Sequence, residues 1–490
     1  MVPRRPPRMG RRLSYIIGAV VVAAGAAMLP AVVTSLLYRE WEAAVGIGLA
    51  AFVTVVGGLA GWRVIGRPGQ ITTKEGFAAV GLAWFIMSAF GTLPYLVTGS
   101  IPSLTDAFFE TASGFTTTGA SIVPDPSILP KGILMWRALT QWVGGMGVIV
   151  LSVAVLPLLG VGGVQLARAE SPGHTPDRLT PRFQETAKRL WLVYVGATVL
   201  QVALLAAGEM DLFEAIVHSF ATLATGGFGT EPDSIASFSP YSQWVIVVFM
   251  LVASTSFALH YRGLRRPSEY LRNPELRLFL AIVAVAVVLV AGGLFRHHPG
   301  ESVVRDAVFT AVSIISTTGF ATADFSSWVP ALQIVLVGLM FLGGMSGSTA
   351  GALKTFRLAI LAKAAGADLR RLVYPRGVFI TRFGDRRIPD PVVESVQSFF
   401  LFYMLIFMAS TFLVGFIDVN TRADFDLVTS ASAVASAMGN VGPGLGEVGP
   451  TGSYLGVPLP GKWLLSGLMI VGRLEIFPVL LLFTRDLWRR

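Results

Sequence analysis

The 490-residue chain contains no cysteine, which excludes disulfides, thiolate metal centres and a cysteine nucleophile. Histidine occurs only five times, too thinly spread for a haem- or zinc-based machine. Charge is short as well: 14% of residues are Asp, Glu, Lys or Arg, against about 25% in a soluble domain. A soluble protein of this length would divide into roughly three domains, each with a polar coat, and the residues for those coats are missing. What is present instead is apolar, 53% of the chain with a mean hydropathy of +0.67. A secreted enzyme, a disordered scaffold and a soluble nucleic-acid binder are excluded by that balance.

Long apolar stretches fall at roughly 13–38, 44–65, 76–100, 132–160, 185–208, 241–261, 276–295, 328–366, 392–417 and 461–484. Each is long enough to cross a hydrocarbon core of about 30 Å. The first follows Arg4, Arg5, Arg8, Arg11 and Arg12, but it outruns the roughly 7–15 residues of a signal-peptide core. The sequence therefore predicts a polytopic membrane protein of ten spans with both termini on one side. Thirty of the 38 Lys and Arg lie in the two tails or in the alternate loops 62–74, 161–189, 262–277 and 354–387. The positive-inside rule makes that side cytoplasmic, so the net charge of +9 reads mainly as topology. A partner-binding role for part of it, above all 367–389 with its six arginines, stays open.

The outer connections repeat. The segments 103–121, 210–230, 303–322 and 423–446 each run through moderately apolar residues into a Gly/Thr-rich stretch. Their ends align without gaps as Thr117-Thr118-Gly119, Thr225-Gly226-Gly227, Thr317-Thr318-Gly319 and Asn440-Val441-Gly442. Thirteen residues before the shared glycine stand Asp106, Glu214, Asp306 and Thr429, suited to the start of a short helix. The glycines are 108, 92 and 123 residues apart, room for one outgoing and one incoming span each time. The expected fold is thus all-α: four pseudo-symmetric helix–pore helix–helix repeats around one central pore, plus an N-terminal helical hairpin. Its divisions are 1–75 (tail and hairpin), 76–160 (repeat 1), 161–182 (linker), 183–262 (repeat 2), 263–366 (repeat 3, last helix broken), 367–389 (basic linker) and 390–490 (repeat 4). At membrane depth a non-helical backbone survives only in a cavity or buried in protein. Glycine permits positive φ, and four such stretches around an axis stack carbonyl oxygens that replace the hydration shell of a monovalent cation.

These segments, the run Gly343-Gly344-Met345-Ser346-Gly347-Ser348-Thr349-Ala350-Gly351-Ala352-Leu353-Lys354 and the tetrapeptide Gly472-Arg473-Leu474-Glu475 resemble the TrkH/KtrB/HKT superfamily of potassium transporters. The resemblance covers about 76–490, and the additional hairpin at 13–65 is similar to the TrkH branch. It implies a channel-like potassium uptake protein, not an enzyme, with K+ as transported ion and no organic cofactor. It also implies a homodimer in the bacterial inner membrane and a cytosolic, TrkA-like nucleotide-binding regulator, with no nucleic-acid partner. Sodium-preferring relatives replace the first filter glycine by serine, so Gly119 points to potassium. Asn440 and Val441 depart from the family's spelling. A Na+/K+ symporter or other coupled secondary transporter is the alternative, although that class favours inverted repeats and ionisable residues in broken helices.

The stretch 328–366 would be about 58 Å long as one helix, and four glycines fall within nine residues at its middle. Glycine costs about 1 kcal/mol per residue in a helix, so a break is expected, forming either a kink or a loop across the pore. Gly343, Gly344, Met345, Ser346, Gly347, Ser348, Thr349 and Gly351 are the expected gate. Arg473 sits inside the last span, where arginine costs about 2.5–3.5 kcal/mol. In the family the matching arginine faces the pore beside the loop; neutralisation by Glu475 is the other reading. Lys354 is expected to snorkel to the cytoplasmic interface. The G-x-G-x-x-G spelling of Gly444, Gly446 and Gly449 follows a short helix instead of a strand, which argues against a dinucleotide site.

Overall fold

Uninterrupted apolar sequence builds the long helices, and proline, glycine and hydroxyl side chains decide where they stop. The structure, a computed structural model, describes residues 9–63, 73–154, 180–297, 300, 302–421 and 425–488. Arg4, Arg5, Arg8, His298, Arg489, Arg490 and most of the expected loops 62–74 and 161–182 lie outside the described residues. The N-terminal hairpin consists of α1 (Met9–Ala26), α2 (Leu29–Leu37) and α3 (Trp41–Arg63). Pro30 stands in the first turn of α2, where its missing N–H breaks no helical bond. Between α2 and α3, Glu40 accepts hydrogen bonds from the backbone N–H of Lys131 (2.7 Å) and Gly132 (3.1 Å). A carboxylate at a helix N-terminus satisfies otherwise unpaired donors, and it ties the hairpin to the helix that follows.

Four units succeed the hairpin. The first comprises α4 (Thr73–Gly91), α5 (Leu93–Thr98), the short α6 (Leu104–Phe115) and α7 (Lys131–Ala154). In the second are α8 (Thr180–Ala206), the short α9 (Leu212–Ala224), α10 (Pro240–Ala253) and α11 (Phe257–Gly263). After α12 (Ser268–Arg272), the third is built of α13 (Pro274–His297), the short α14 (Val303–Ile315), α15 (Pro330–Met340) and α16 (Thr355–Val373). The fourth has α17 (Asp390–Thr421), the short α18 (Leu427–Gly439), α19 (Leu459–Arg473), α20 (Phe477–Leu482) and α21 (Arg485–Trp488). Helix therefore forms most of the described part of each of the ten expected span positions. Among the described residues, six stretches are individually long and apolar enough to cross a bilayer: Leu13–Leu37, Trp41–Trp62, Lys74–Thr98, Glu185–Ala206, Pro274–His297 and Asp390–Ile417.

The break expected in the eighth span is present, between α15 and α16. Two further spans expected to be continuous are also interrupted. The sixth turns by 99° between α10 and α11. There Thr255 Oγ1 bonds back to Leu251 O at 2.9 Å, while the Ala253 and Ser254 carbonyls are taken by another segment. The tenth stops at Leu474, four residues before Pro478, whose ring would collide with that carbonyl in a continuing helix. Within the basic linker 367–389, β1 (Arg382–Phe383) and β2 (Arg386–Arg387) pair antiparallel around Gly384 and Asp385, a small departure from the all-helical expectation.

Polarity is arranged inside out. Leu401, Leu405, Met408 and Phe412 on α17 are exposed, whereas Thr116, Thr118, Gln141, Ser313 and Thr317 are buried. An apolar exterior around a polar interior suits lipid as the surrounding solvent.

Candidate functional site

Three of the four short helices start with a side-chain cap. Ser103 accepts from Asp106 N, and Asp426 accepts from Thr429 N at 2.7 Å. Asp211 and Glu214 form a reciprocal capping box. In α14, Ser302 Oγ instead donates to Asp306 Oδ2 at 2.5 Å. All four helices end alike. The amides of Thr117, Thr225, Thr317 and Asn440 reach back three residues, to Gly114, Thr222, Ile314 and Ala437 carbonyls, at 2.9, 2.9, 3.0 and 3.4 Å. The next amides, of Thr118, Gly226, Thr318 and Val441, reach back five, to Ser113, Ala221, Ser313 and Ser436, at 2.8, 2.8, 2.9 and 3.0 Å. This is the Schellman termination, repeated four times at the aligned positions.

Its left-handed residue is normally glycine. Here it is Thr117, Thr225, Thr317 and Asn440, with φ of 53°, 55°, 56° and 54°. A β-branched residue at positive φ is an outlier that costs on the order of 1–3 kcal/mol and marks a functional constraint. Asparagine tolerates this region, so Asn440, the departure from the family spelling, suits the backbone best.

Two residues later Gly119, Gly227, Gly319 and Gly442 again take positive φ, 83°, 78°, 80° and 109°. A Cβ on Gly119 would lie 2.0 Å from Gly226 O, one on Gly227 2.0 Å from Thr318 O, and one on Gly319 2.0 Å from Val441 O. A Cβ on Gly442 would lie 2.7 Å from Thr118 O, which closes the circle. Each glycine thus meets the carbonyl preceding the glycine of the next unit. The four glycines converge: Gly119, Gly227, Gly319 and Gly442 line one mouth of about 90 Å³.

Side chains behind the ring hold its backbone. Gln141 donates from Nε2 to Gly226 O (2.7 Å) and accepts from Phe228 N (3.1 Å). Ser313 Oγ donates to Phe320 O (2.6 Å) and Ser436 Oγ to Gly442 O (2.7 Å), joined there by Tyr454 Oη (2.9 Å). Asn440 Nδ2 donates to Thr118 Oγ1 at 2.9 Å, linking the fourth unit to the first. A buried ion pair, Arg137 with Glu110 at 2.9 Å, lies beside the first two segments. Sequence reasoning missed these supports. The available signals were Glu110, a second acid in the middle of a short apolar helix, and Arg137, alone inside a span.

The loop between α15 and α16 lies against this ring. Its ends run together, with Gly343 N donating to Leu353 O (2.9 Å) and Thr355 Oγ1 to Gly343 O (3.1 Å). Gly351 N donates to Thr317 Oγ1 (2.7 Å), a residue of the third segment. Thr349 Oγ1 donates to Leu223 O in the last turn of α9 (3.0 Å), and a Cβ on Gly351 would lie 2.2 Å from Gly439 O at the end of α18. Met345 N and Thr349 N donate to the freed Ser254 and Ala253 carbonyls at 2.8 and 3.3 Å. Phe257 N donates to Gly347 O (3.1 Å), Ser346 N to Glu275 Oε1 (2.7 Å) and Ser348 Oγ to Met345 O (2.6 Å). Gly344 is buried against Ser254 O.

Arg473 is buried and donates to Thr349 O at 2.6 Å, while its Nε and second amino group have no hydrogen-bond partner in the described residues. Glu475 does not neutralise it: it pairs with Arg357, which stacks over Phe399 at 4.1 Å. Lys354 does not snorkel to the interface either. It is buried and folds back to donate to Ala350 O.

Comparison with known proteins follows the same outline. The model of the family described as "TrkH: Cation transport protein" matches residues 47–489. The chain is 38% identical to the Trk system potassium uptake protein TrkH of Escherichia coli K12, covering 98% of this chain and 99% of that protein. It is 39% identical to the TrkH of Halomonas elongata, with the same two coverages. The crystal structure of the potassium transporter TrkH from Vibrio parahaemolyticus superposes with a TM-score of 0.88 at 35% identity, covering 98% of this chain and 99% of that one.

Proposed function

The chain belongs to the TrkH family of cation transport proteins, and on that premise we propose that it is a potassium uptake protein whose ion passes through the ring of four glycine segments. The observation that carries this reading is the closed circle of contacts from Gly119 to Gly226, Gly227 to Thr318, Gly319 to Val441 and Gly442 to Thr118. Backbone carbonyls fixed around a centre replace the water a cation sheds on entry. The negative C-terminal ends of four short helices favour positive charge there. The residues that would contact K+ are Thr117, Thr118, Gly119, Thr225, Gly226, Gly227, Thr317, Thr318, Gly319, Asn440, Val441 and Gly442. Here K+ is the substrate, and no covalent chemistry is needed to move it. A membrane potential supplies about 2.3 kcal/mol per charge per 100 mV, enough for roughly fiftyfold accumulation.

The loop 343–351 serves as the gate, and Arg473 opposes cation passage beside it. In support, one loop touches the third segment through Gly351 and the ends of α9 and α18, while Arg473 binds its Thr349 carbonyl. The repeats run over 76–160, 183–262, 263–366 and 390–490. The weight of basic residues on one set of loops supports both termini in the cytoplasm and placement in a bacterial inner membrane. A homodimer with one pathway per chain and a TrkA-like regulator on the inner face complete the proposal. Four short helices in the same sense favour channel-like permeation over the rocking repeats of a coupled symporter.

The test is rubidium uptake into proteoliposomes under an inside-negative potential, with sodium and choline as competitors. Uptake driven by potential and blocked by K+ but not by equal Na+ supports the assignment; uptake that requires Na+ overturns it in favour of symport.

A further inference from the structure

We propose that Arg137 and Glu110 are a positioning pair that sets the ion preference by locking the first two glycine segments to each other. The inference rests on the filter reading above. Arg137 is 2% exposed and Glu110 fully buried; neither is one of the twelve aligned residues, and Arg137 lies in the wall of the mouth the glycines line. The guanidinium donates from Nε to Glu110 Oε1 (2.9 Å), from one amino group to Ser121 Oγ (3.0 Å) and from the other to Gly229 O (3.2 Å). Ser121 stands two residues after Gly119, and Gly229 two residues after Gly227. One side chain therefore holds the same position of two neighbouring segments. Its charge lies 4.2 Å from the centroid of the Phe228 ring, which adds a cation–π contact. Glu110 closes the clamp by accepting from Ile122 N at 2.9 Å and Ser121 Oγ at 3.0 Å.

Among the described residues, no arginine–carboxylate pair stands at the matching place behind the other segments. Nine residues before the shared glycine, Glu110 is matched by His218, Thr310 and Ala433. The third and fourth segments are tied back mainly by the hydroxyls of Ser313, Ser436 and Tyr454, with Thr322 Oγ1 donating to Asp306 at 3.0 Å. Charge-assisted bonds are shorter and stronger than neutral ones, so the shared guanidinium stiffens the spacing between segments one and two. That spacing includes the contact of Gly119 with Gly226 O. The guanidinium's planar fork is what allows three directions at once. Lysine carries one compact charge and cannot satisfy all three.

The experiment compares Rb+ and Na+ uptake by the full-length chain in proteoliposomes for Arg137→Lys, Glu110→Gln and a Gly119→Ser control. Arg137→Lys retains the charge opposite Glu110 and loses only the fork. The expected result is a Rb+/Na+ uptake ratio lowered by about tenfold, the scale of one charge-assisted hydrogen bond, with Rb+ uptake per folded molecule largely kept. A merely structural role lowers both fluxes together and leaves the ratio unchanged, which overturns the proposal. Should the single variants fail to fold, the double variant Glu110→Gln/Arg137→Gln leaves no unpaired buried charge and is read by the same ratio. If Gly119→Ser relaxes the ratio and the pair variants do not, the pair assignment alone falls. If none of them changes it, the filter reading falls as well.

Discussion

Replacing any one of Gly119, Gly227 or Gly319 with serine should relax the preference for K+ over Na+, and the three effects should match. At each position the new Cβ would stand 2.0 Å from the neighbouring carbonyl oxygen. Ordinary contact lies near 3.5 Å, so that oxygen must retreat by roughly 1.5 Å. Binding constellations hold their geometry to about 0.5 Å, and the displacement is about three times that tolerance. The positive φ values of 83°, 78° and 80° add backbone strain of similar size at each site. A loss of about 1.4 kcal/mol of discrimination is tenfold, and at least that loss is expected. The assay is Rb+ and Na+ uptake by reconstituted variants, normalised to folded protein. One glycine of the three tolerating serine with its ratio intact would refute the reciprocal ring, since the contact is the same at all three.

Further consequences can be measured with the same preparation. Arg473→Gln should raise Rb+ uptake: a unit charge at roughly 8 Å from a passing cation contributes on the order of 2 kcal/mol at an effective dielectric near 20. Arg473→Lys, which keeps the charge, should stay close to the parent. Shortening 345–350 should raise uptake with the Rb+/Na+ ratio preserved, and unchanged uptake would remove the loop as gate. Burial, then the neighbouring Glu214 and Asp233, holds Glu231, in the wall of the glycine mouth, above the usual carboxylate range. Uptake from dilute K+ should therefore weaken as external pH falls through that raised pKa and the charge is lost; Glu231→Gln should remove the dependence. Glu40→Gln should lower thermal stability by about 1 kcal/mol, the scale of a helix cap, without altering the uptake ratio.

Much of this arrangement was legible because it recurs. The aligned Thr117, Thr225, Thr317 and Asn440 have φ values within a few degrees of each other, so register read from four copies became one backbone geometry. The eighth span showed its break through clustered glycines. Breaks in the sixth and tenth were less visible, since serine and threonine are weak helix breakers and Pro478 acts four residues upstream of itself. Pairings across the fold were not legible. Glu110 with Arg137, and Arg357 with Glu475, join residues 27 and 118 apart, and no local pattern selects such partners. Lys354 misled because its place at the end of a span suggests the interface, whereas its ammonium turns back to the Ala350 carbonyl of the loop.

The most direct measurement is the anomalous density of Rb+ in crystals of the protein grown with that ion. Peaks on the axis enclosed by Gly119, Gly227, Gly319 and Gly442, coordinated by oxygens of all four segments and displaced by K+ but not by Na+, are the expected result. Transport-competent protein with Rb+ bound elsewhere, and no ion within the four-glycine ring, would contradict it.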